Sequence, residues 1–121
     1  MTVSVLDLTP ARQDFKFVRG DTWKARFIFK DSDGAVIDLT GSTWLVQVRL
    51  ASPDGTLFGT FSVTTTLDAE GLIDIVLDET VTANADPKAT YWYDVQQTLS
   101  GDVATPVHGK INVVADVSRG A

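Results

Sequence analysis

The sequence contains no cysteine and a single histidine, His108, among its 121 residues. Without cysteine the chain has no disulfide bond, no thiolate nucleophile and no thiolate metal ligand, and one histidine excludes any site that needs two imidazoles. Basic residues are also few, with 10 lysines and arginines against 16 aspartates and glutamates, for a formal net charge of −6. Because nucleic-acid binding depends on clustered basic side chains, this balance argues against a nucleic-acid partner.

Long apolar runs are missing from the sequence as well. No segment approaches the roughly 20 consecutive apolar residues of a transmembrane helix, so we expect no membrane partner. Glutamate is scarce, since Glu70 and Glu79 stand beside 14 aspartates. Aspartate serves turns and helix caps, whereas glutamate is typical of helix surfaces. This imbalance indicates many turns and few helices.

Residues that favour strands are plentiful, and 15 valines and 15 threonines make up about a quarter of the chain. Apolar and polar side chains alternate with a period of two through most of the sequence, as in strands that bury one face. The alternation predicts strands at 15–17, 22–29, 43–50, 57–63, 73–78, 91–96 and 110–117, with an edge strand or arm at 3–5.

Turn sequences separate these predicted strands. Asp33 and Gly34 suit a hairpin turn that requires a positive φ, and similar aspartate-glycine turns recur along the chain. The segment 78–83 predicts one helical turn, capped by Asp78 and stopped before Pro87. About seven strands with regular turns predict an all-β protein, either a sandwich or a small barrel.

The residues with reactive side chains form no catalytic constellation. His108 is accompanied by no Gly-x-Ser-x-Gly motif, and most aspartates fall in turns that explain them. Residues 31–34 (DSDG) resemble the start of a calcium loop, but Ala35 and Val36 follow where further ligands are needed. We therefore predict that the protein is not an enzyme, with no catalytic residue, no metal site and no cofactor.

The tryptophans indicate a candidate contact surface. Trp23 and Trp44 follow the inward register of their strands, which predicts core packing. Trp92 is out of register with its tyrosine neighbours and shares a face with Asp94 and Gln96, where an exposed indole suits contact with another chain. Two further candidate contacts are the N-terminal arm and the last strand. The predicted interface residues are Trp92, Asp94, Gln96, Val3, Val5 and Val114.

A series of short motifs, taken in order, resembles a known family. The chain is similar to the immunoglobulin-like β-sandwich domains of tailed-phage and prophage structural proteins, most of all to the N-terminal domain of baseplate upper proteins. The resemblance spans about residues 14–119. Its motifs are 17–22 (FVRGDT), 33–34 (DG), 37–41 (IDLTG), 46–49 (VQVR), 71–73 (GLI), 91–95 (YWYDV), 109–111 (GKI) and 117–119 (VSR).

The resemblance implies an immunoglobulin-like antiparallel β-sandwich of about seven strands, with at most one short helical turn near 78–84. It implies a sandwich domain at 14–119, preceded by an N-terminal arm or edge strand at 1–13. It also implies a structural part of the virion, assembled in the host cytoplasm, that contacts other phage structural proteins or copies of itself.

Two expectations about function stay open at this point. Baseplate upper proteins continue into a long C-terminal region and this sequence ends after the sandwich, so the baseplate, tail, neck and capsid are all open as positions. The alternative function is a carbohydrate-binding module for host-surface recognition. It would use exposed aromatic and polar side chains near Trp92, Asp94 and Gln96.

Overall fold

The computed structural model describes residues 2–7 and 11–117, which fold into nine strands and one short helix. A 3₁₀ turn at Asp68–Glu70 and the helix α1 (Glu79–Thr82) are the helical segments of this part of the chain. The strands are β1 (Thr2–Leu6), β2 (Ala11–Arg12), β3 (Phe15–Val18), β4 (Trp23–Phe29), β5 (Thr43–Leu50), β6 (Leu57–Thr64), β7 (Leu72–Leu77), β8 (Thr90–Leu99) and β9 (Asp102–Val114).

The strands form two sheets that share β6. In sheet A the order is β1-β4-β7-β6, and in sheet B it is β6-β5-β8-β9, with β2 and β3 both paired to β9. The first half of β6 pairs with β5 and its last three residues pair with β7, so β6 passes from one sheet to the other. This is the strand arrangement of an immunoglobulin-like sandwich, and it confirms the predicted all-β fold.

The edges of the sheets differ from the antiparallel expectation. β1 runs parallel to β4, and β2 and β3 run parallel to β9, while the remaining pairs are antiparallel. The N-terminal segment thus lines the edge of sheet A first and the edge of sheet B next. These extra edge strands raise the number from about seven to nine.

The last strand is longer than its alternation predicts. β9 begins at Asp102 rather than at residue 110, because Ser100 and Gly101 adopt positive φ angles of 53° and 84° and close a two-residue hairpin turn. Leu99 can then pair directly with Asp102. β9 ends at Val114, so the predicted strand residues 115–117 lie beyond it. The predicted domain limits stay predictions, and residues 1, 8–10, 118 and 119 lie outside the described residues.

The predicted helical turn is confirmed. Asp78 caps α1, since its carboxylate accepts a hydrogen bond from the backbone N–H of Thr80. Gly34 has the positive φ, 81°, that its predicted turn requires.

The core lies between the two sheets and comes from the inward registers of their strands. Each fully buried apolar side chain contributes roughly 1.5–3 kcal/mol relative to an exposed one. Aromatic rings stack through this layer, with Phe17 and Trp23 centroids 5.2 Å apart. The largest fully buried side chains are Trp23, Phe27, Phe29, Leu39, Val46, Val48, Ile73, Ile75, Tyr91, Val95, Val107 and Ile111.

Candidate functional site

The predicted interface residues lie on two opposite surfaces. Val3 and Val5 lie on the outer face of sheet A and are 52% and 59% exposed. Trp92 and Asp94 lie on the outer face of sheet B, where Trp92 is half-buried and Asp94 is exposed.

The other two predicted residues flank the Trp92 region without joining it. Gln96 lies two residues after Asp94 in β8 and pairs with Leu45 of β5. Val114 lies at the end of β9 and pairs with Val18 of β3. The six predicted residues therefore form no single patch.

Strand register arranges the outer face of sheet B in two rows. In the first row, Gln47, Asp94, His108 and Arg12 are successive partners across β5, β8, β9 and β2. Directly opposed side chains of neighbouring antiparallel strands lie about 5 Å apart, so they interact. The second row, two residues along each strand, contains Arg49, Trp92 and Lys110. We call these seven residues the sheet B rows.

Two cations lie over the indole of Trp92. The ammonium nitrogen of Lys110 is 4.7 Å from the ring centroid, and the guanidinium carbon of Arg12 is 5.9 Å from it. Both distances fall within the range of cation–π attraction. The indole Nε1–H donates to the backbone oxygen of Ala51 at 3.3 Å, which holds the ring against the sheet. Trp92 is therefore held in one orientation, with the positively charged groups of Lys110 and Arg12 against its ring.

A shallow groove of about 290 Å³ opens beside Trp92. Arg49 is held in its wall because its guanidinium donates to the backbone oxygen of Gly55 at 3.1 Å and to Oε1 of Gln47 at 3.2 Å. Both acceptors are neutral, and among the described residues Arg49 forms no salt bridge. The groove is lined by Gln47, Arg49, Pro53, Trp92, Tyr93, Asp94 and His108.

Asp94 is the carboxylate of this groove. Partial loss of hydration raises its pKa, while the nearby charges of Arg49 and His108 act in the opposite direction. The raised pKa means that the folded protein holds this negative charge at a cost.

Asp14 borders the sheet B rows and has the opposite tendency. Its Oδ1 accepts from Nε of Arg12 at 3.1 Å and from the backbone N–H of Lys110 at 2.9 Å. The Arg12 hydrogen bond, followed by the Lys110 N–H, lowers the pKa of Asp14. Arg12 is thereby neutralised locally, whereas Arg49 and Lys110 form no salt bridge among the described residues. The charge of Arg49 acts on nearby Asp94, and that of Lys110 acts on Asp14.

The outer face of sheet A is apolar near β1. Val5, Ile28 and Leu72 are register partners across β1, β4 and β7, and they form a continuous outward row. The neighbouring row places Val3 beside the two-pronged ion pair of Arg26 with Asp74, whose bonds measure 2.7 and 3.0 Å. We call Val3, Val5, Ile28 and Leu72 the β1 face.

Sequence reasoning missed Arg49 as the partner of Trp92, and Gln47 and His108 as the partners of Asp94. The alternation in 43–50 shows that Gln47 and Arg49 share the outward face of their strand. This is the sequence feature that could have identified them as surface neighbours. Which strand they oppose depends on the pairing of β5 with β8, and local pattern does not encode that pairing. His108 lies in the middle of β9, exposed and opposite Asp94, whereas the predicted strand 110–117 begins after it.

The described residues form neither a group of metal-ligating side chains nor a membrane-spanning helix. No group of three or more histidine, cysteine, aspartate or glutamate side chains there is placed to hold a metal ion. None of the helices in residues 2–7 and 11–117 has the length and apolar character of a membrane span.

Comparison with known proteins gives a distant likeness of fold. No family model matches the sequence, and no curated protein sequence matches it. Among solved structures, the chain is similar to the crystal structure of the Lin-41 filamin domain, with a TM-score of 0.45, 16% sequence identity and 82% of each chain covered.

A second similar structure is a nucleoside hydrolase-related hypothetical protein from Saccharophagus degradans that is associated with carbohydrate metabolism. Its TM-score is 0.36 and its identity 14%, and the match covers 86% of this chain and 23% of that one. The strand order and register described above define the class of this protein, which is an immunoglobulin-like β-sandwich domain.

Proposed function

We propose that this domain is a structural component of a tailed-phage virion and that it works through contacts with other proteins of the particle. The observation that carries the proposal is the β1 edge of sheet A, which ends in an uncharged strand with two exposed valines. The motif resemblance to phage baseplate domains supports the particle as its location.

The first argument concerns the backbone of β1. β1 pairs with β4 along one side, and no other described strand pairs with its outer side. An edge strand presents unpaired N–H and C=O groups that can accept a further strand. Monomeric proteins usually protect such edges with lysine, proline or a bulge, whereas the sequence of β1, TVSVL, contains no charge and no proline. The edge therefore suits a strand from a neighbouring protein.

The second argument concerns the side chains next to that edge. The β1 face exposes Val3 and Val5 beside half-buried Ile28 and Leu72, so an added strand finds apolar surface on the outer side. Burying such surface contributes about 25 cal/mol per Å². Backbone pairing and apolar contact would thus act together in one docking surface.

The proposal is tested on tailed particles purified from the strain that produces them. We expect the protein to be present in the particles by immunoblot. Replacing Val5 with Lys (V5K) is expected to reduce incorporation at least about tenfold, because a charged side chain at a sheet edge opposes strand addition.

The matched control is Val103→Lys, which places the same charge at a valine of similar exposure, 60%, on the hairpin between β8 and β9. It is expected to incorporate normally. If the protein is missing from the particles, the virion proposal is wrong. If V5K and V103K incorporate equally well, docking through β1 is wrong while the virion location stands.

A carbohydrate-binding module is the second candidate. The groove beside Trp92 supports it, because an indole flanked by amide and carboxylate groups suits sugar hydroxyls. The position of Lys110 over the Trp92 ring weighs against a carbohydrate-binding module, because a sugar would have to stack on the ring face where the ammonium group lies. Titration of cell-wall sugars with tryptophan fluorescence tests this candidate, and no change at millimolar sugar would exclude it.

A further inference from the structure

We infer that the sheet B rows bind an acidic peptide segment of a partner protein, at a site separate from the β1 face. The site combines a fixed indole with two cations, Arg49 and Lys110, that form no salt bridge in the described part of the chain. The inference does not depend on the virion proposal, because it rests on the opposite sheet.

The charges of the rows run against those of the chain. Arg12, Arg49 and Lys110 are cationic and Asp94 is the one carboxylate of the rows, whereas the whole chain carries −6. Asp14 borders the rows and neutralises Arg12. A local cationic surface on an acidic protein attracts anions while the rest of the surface repels them, which orients an anionic partner toward this face.

Arg49 provides the anchoring group. Its guanidinium is held by Gly55 and Gln47, so little side-chain freedom is lost when a ligand binds. These two acceptors are neutral and Arg49 forms no salt bridge among the described residues, although the charge of Asp94 lies nearby. A guanidinium matches the two oxygens of a carboxylate. A glutamate or aspartate side chain entering the groove would therefore meet a preoriented partner.

Trp92 and Lys110 favour a peptide over a neutral sugar. The ammonium group 4.7 Å from the ring centroid lies over the indole, where it can contact a second carboxylate. Carboxylates spaced along an extended peptide fit Arg49 and Lys110, which lie on either side of Trp92 in the same row.

The test uses an octapeptide of alternating glutamate and serine and a matched peptide with glutamine in place of glutamate. Binding is followed by the NMR signal of the Trp92 indole N–H at about 20 mM salt, where charges are weakly screened. We expect the glutamate peptide to shift this signal with saturation and the glutamine peptide to leave it unchanged. Raising the salt to about 150 mM should weaken binding.

Three variants separate the site from general charge effects. Arg49→Gln is expected to weaken binding about fivefold, which is the effect of losing one partly exposed ion pair. Lys24→Gln makes the same change in net charge on sheet A, far from the rows, and is expected to bind normally. Asp94→Asn removes the opposing carboxylate and is expected to strengthen binding about threefold, a gain that misfolding cannot imitate.

Several results would overturn the inference. These are no shift at millimolar glutamate peptide, equal weakening by R49Q and K24Q, or weaker binding in D94N. Oligogalacturonate serves as the third probe, because it carries carboxylates on a sugar chain. Saturable binding of oligogalacturonate without binding of the glutamate peptide would replace the peptide proposal with an acidic-sugar site.

Discussion

The two core-facing tryptophans, Trp23 and Trp44, differ in whether the indole N–H has a hydrogen-bond acceptor. The indole N–H of Trp23 donates to the backbone oxygen of Val18 at 2.9 Å, and the ring is fully buried. The indole N–H of Trp44 is buried without a partner among the described residues, although its ring stacks on Phe29 at 5.8 Å. A buried donor without an acceptor costs free energy, so the two residues contribute differently to stability.

We expect Trp23→Phe to lower the free energy of unfolding by about 2–3 kcal/mol, because it removes a hydrogen bond and leaves unfilled volume. Trp44→Phe should change it by less than about 1 kcal/mol, since the lost ring area is offset by removal of the unpaired N–H. Urea unfolding followed by far-UV circular dichroism measures both. Equal losses in W23F and W44F would contradict this assignment.

At the scale of elements, a buried hydroxyl helps to hold the short helix α1 against the sandwich. Thr82 is fully buried, and its Oγ1 donates to the backbone oxygen of Asp21 at 2.6 Å. Asp21 follows the tight corner in which Gly20 has a φ of 85°, so the bond joins α1 to the connection between β3 and β4. A four-residue helix has little stability of its own and depends on such tertiary contacts.

Thr82→Val keeps the shape of the side chain and removes its donor. We expect a loss of about 1 kcal/mol in the free energy of unfolding, because the hydrogen bond from the buried hydroxyl to the oxygen of Asp21 is removed. Thr64→Val removes an exposed hydroxyl from a strand and should cost less than about 0.5 kcal/mol. Urea unfolding of the two variants decides the matter. A loss in T82V no larger than that in T64V would show that the buried bond does not hold α1.

At the scale of the whole molecule, stability responds to pH through carboxylates with opposite shifts. The hydrogen bond from Arg12 lowers the pKa of Asp14, so its stabilising contribution is present above the unfolded pKa of about 3.9 and is lost as pH falls through the folded value. Loss of hydration raises the pKa of Asp94. Its contribution is favourable at low pH and is lost as pH rises through its folded pKa.

Replacing each carboxyl with an amide should therefore have opposite effects at pH 7. We expect Asp94→Asn to raise the free energy of unfolding and Asp14→Asn to lower it. The gain in D94N should shrink as pH falls toward about 3.9, and the loss in D14N should diminish as pH falls below that value toward the lower folded pKa of Asp14. Urea unfolding at pH 7, 5 and 3.5 measures both trends. A stabilising effect of D94N that grows on acidification would refute the assignment.

Local pattern predicted much of the architecture. The alternation in 22–29 and 43–50 gave strands β4 and β5 within a residue, because burying one face of a sheet imposes a period of two. Asp78 correctly predicted the start of α1, because helix capping also depends on residues close together in the chain. The early start of β9 and the short strand β2 were missed, since a hairpin extension and a two-residue pairing depend on neighbours rather than on hydrophobic alternation.

The sequence by itself determined the fold class, the faces of the strands and the outward position of Trp92, because side-chain alternation and turn chemistry are local properties. The tertiary structure alone decided that Arg49, Asp94, His108 and Lys110 surround Trp92 and that β1 forms the edge strand of sheet A. Pairing between strands far apart in the chain is set by packing of the whole core. The sequence of a short segment does not determine which strand it will pair with. The two candidate contact surfaces are therefore products of register.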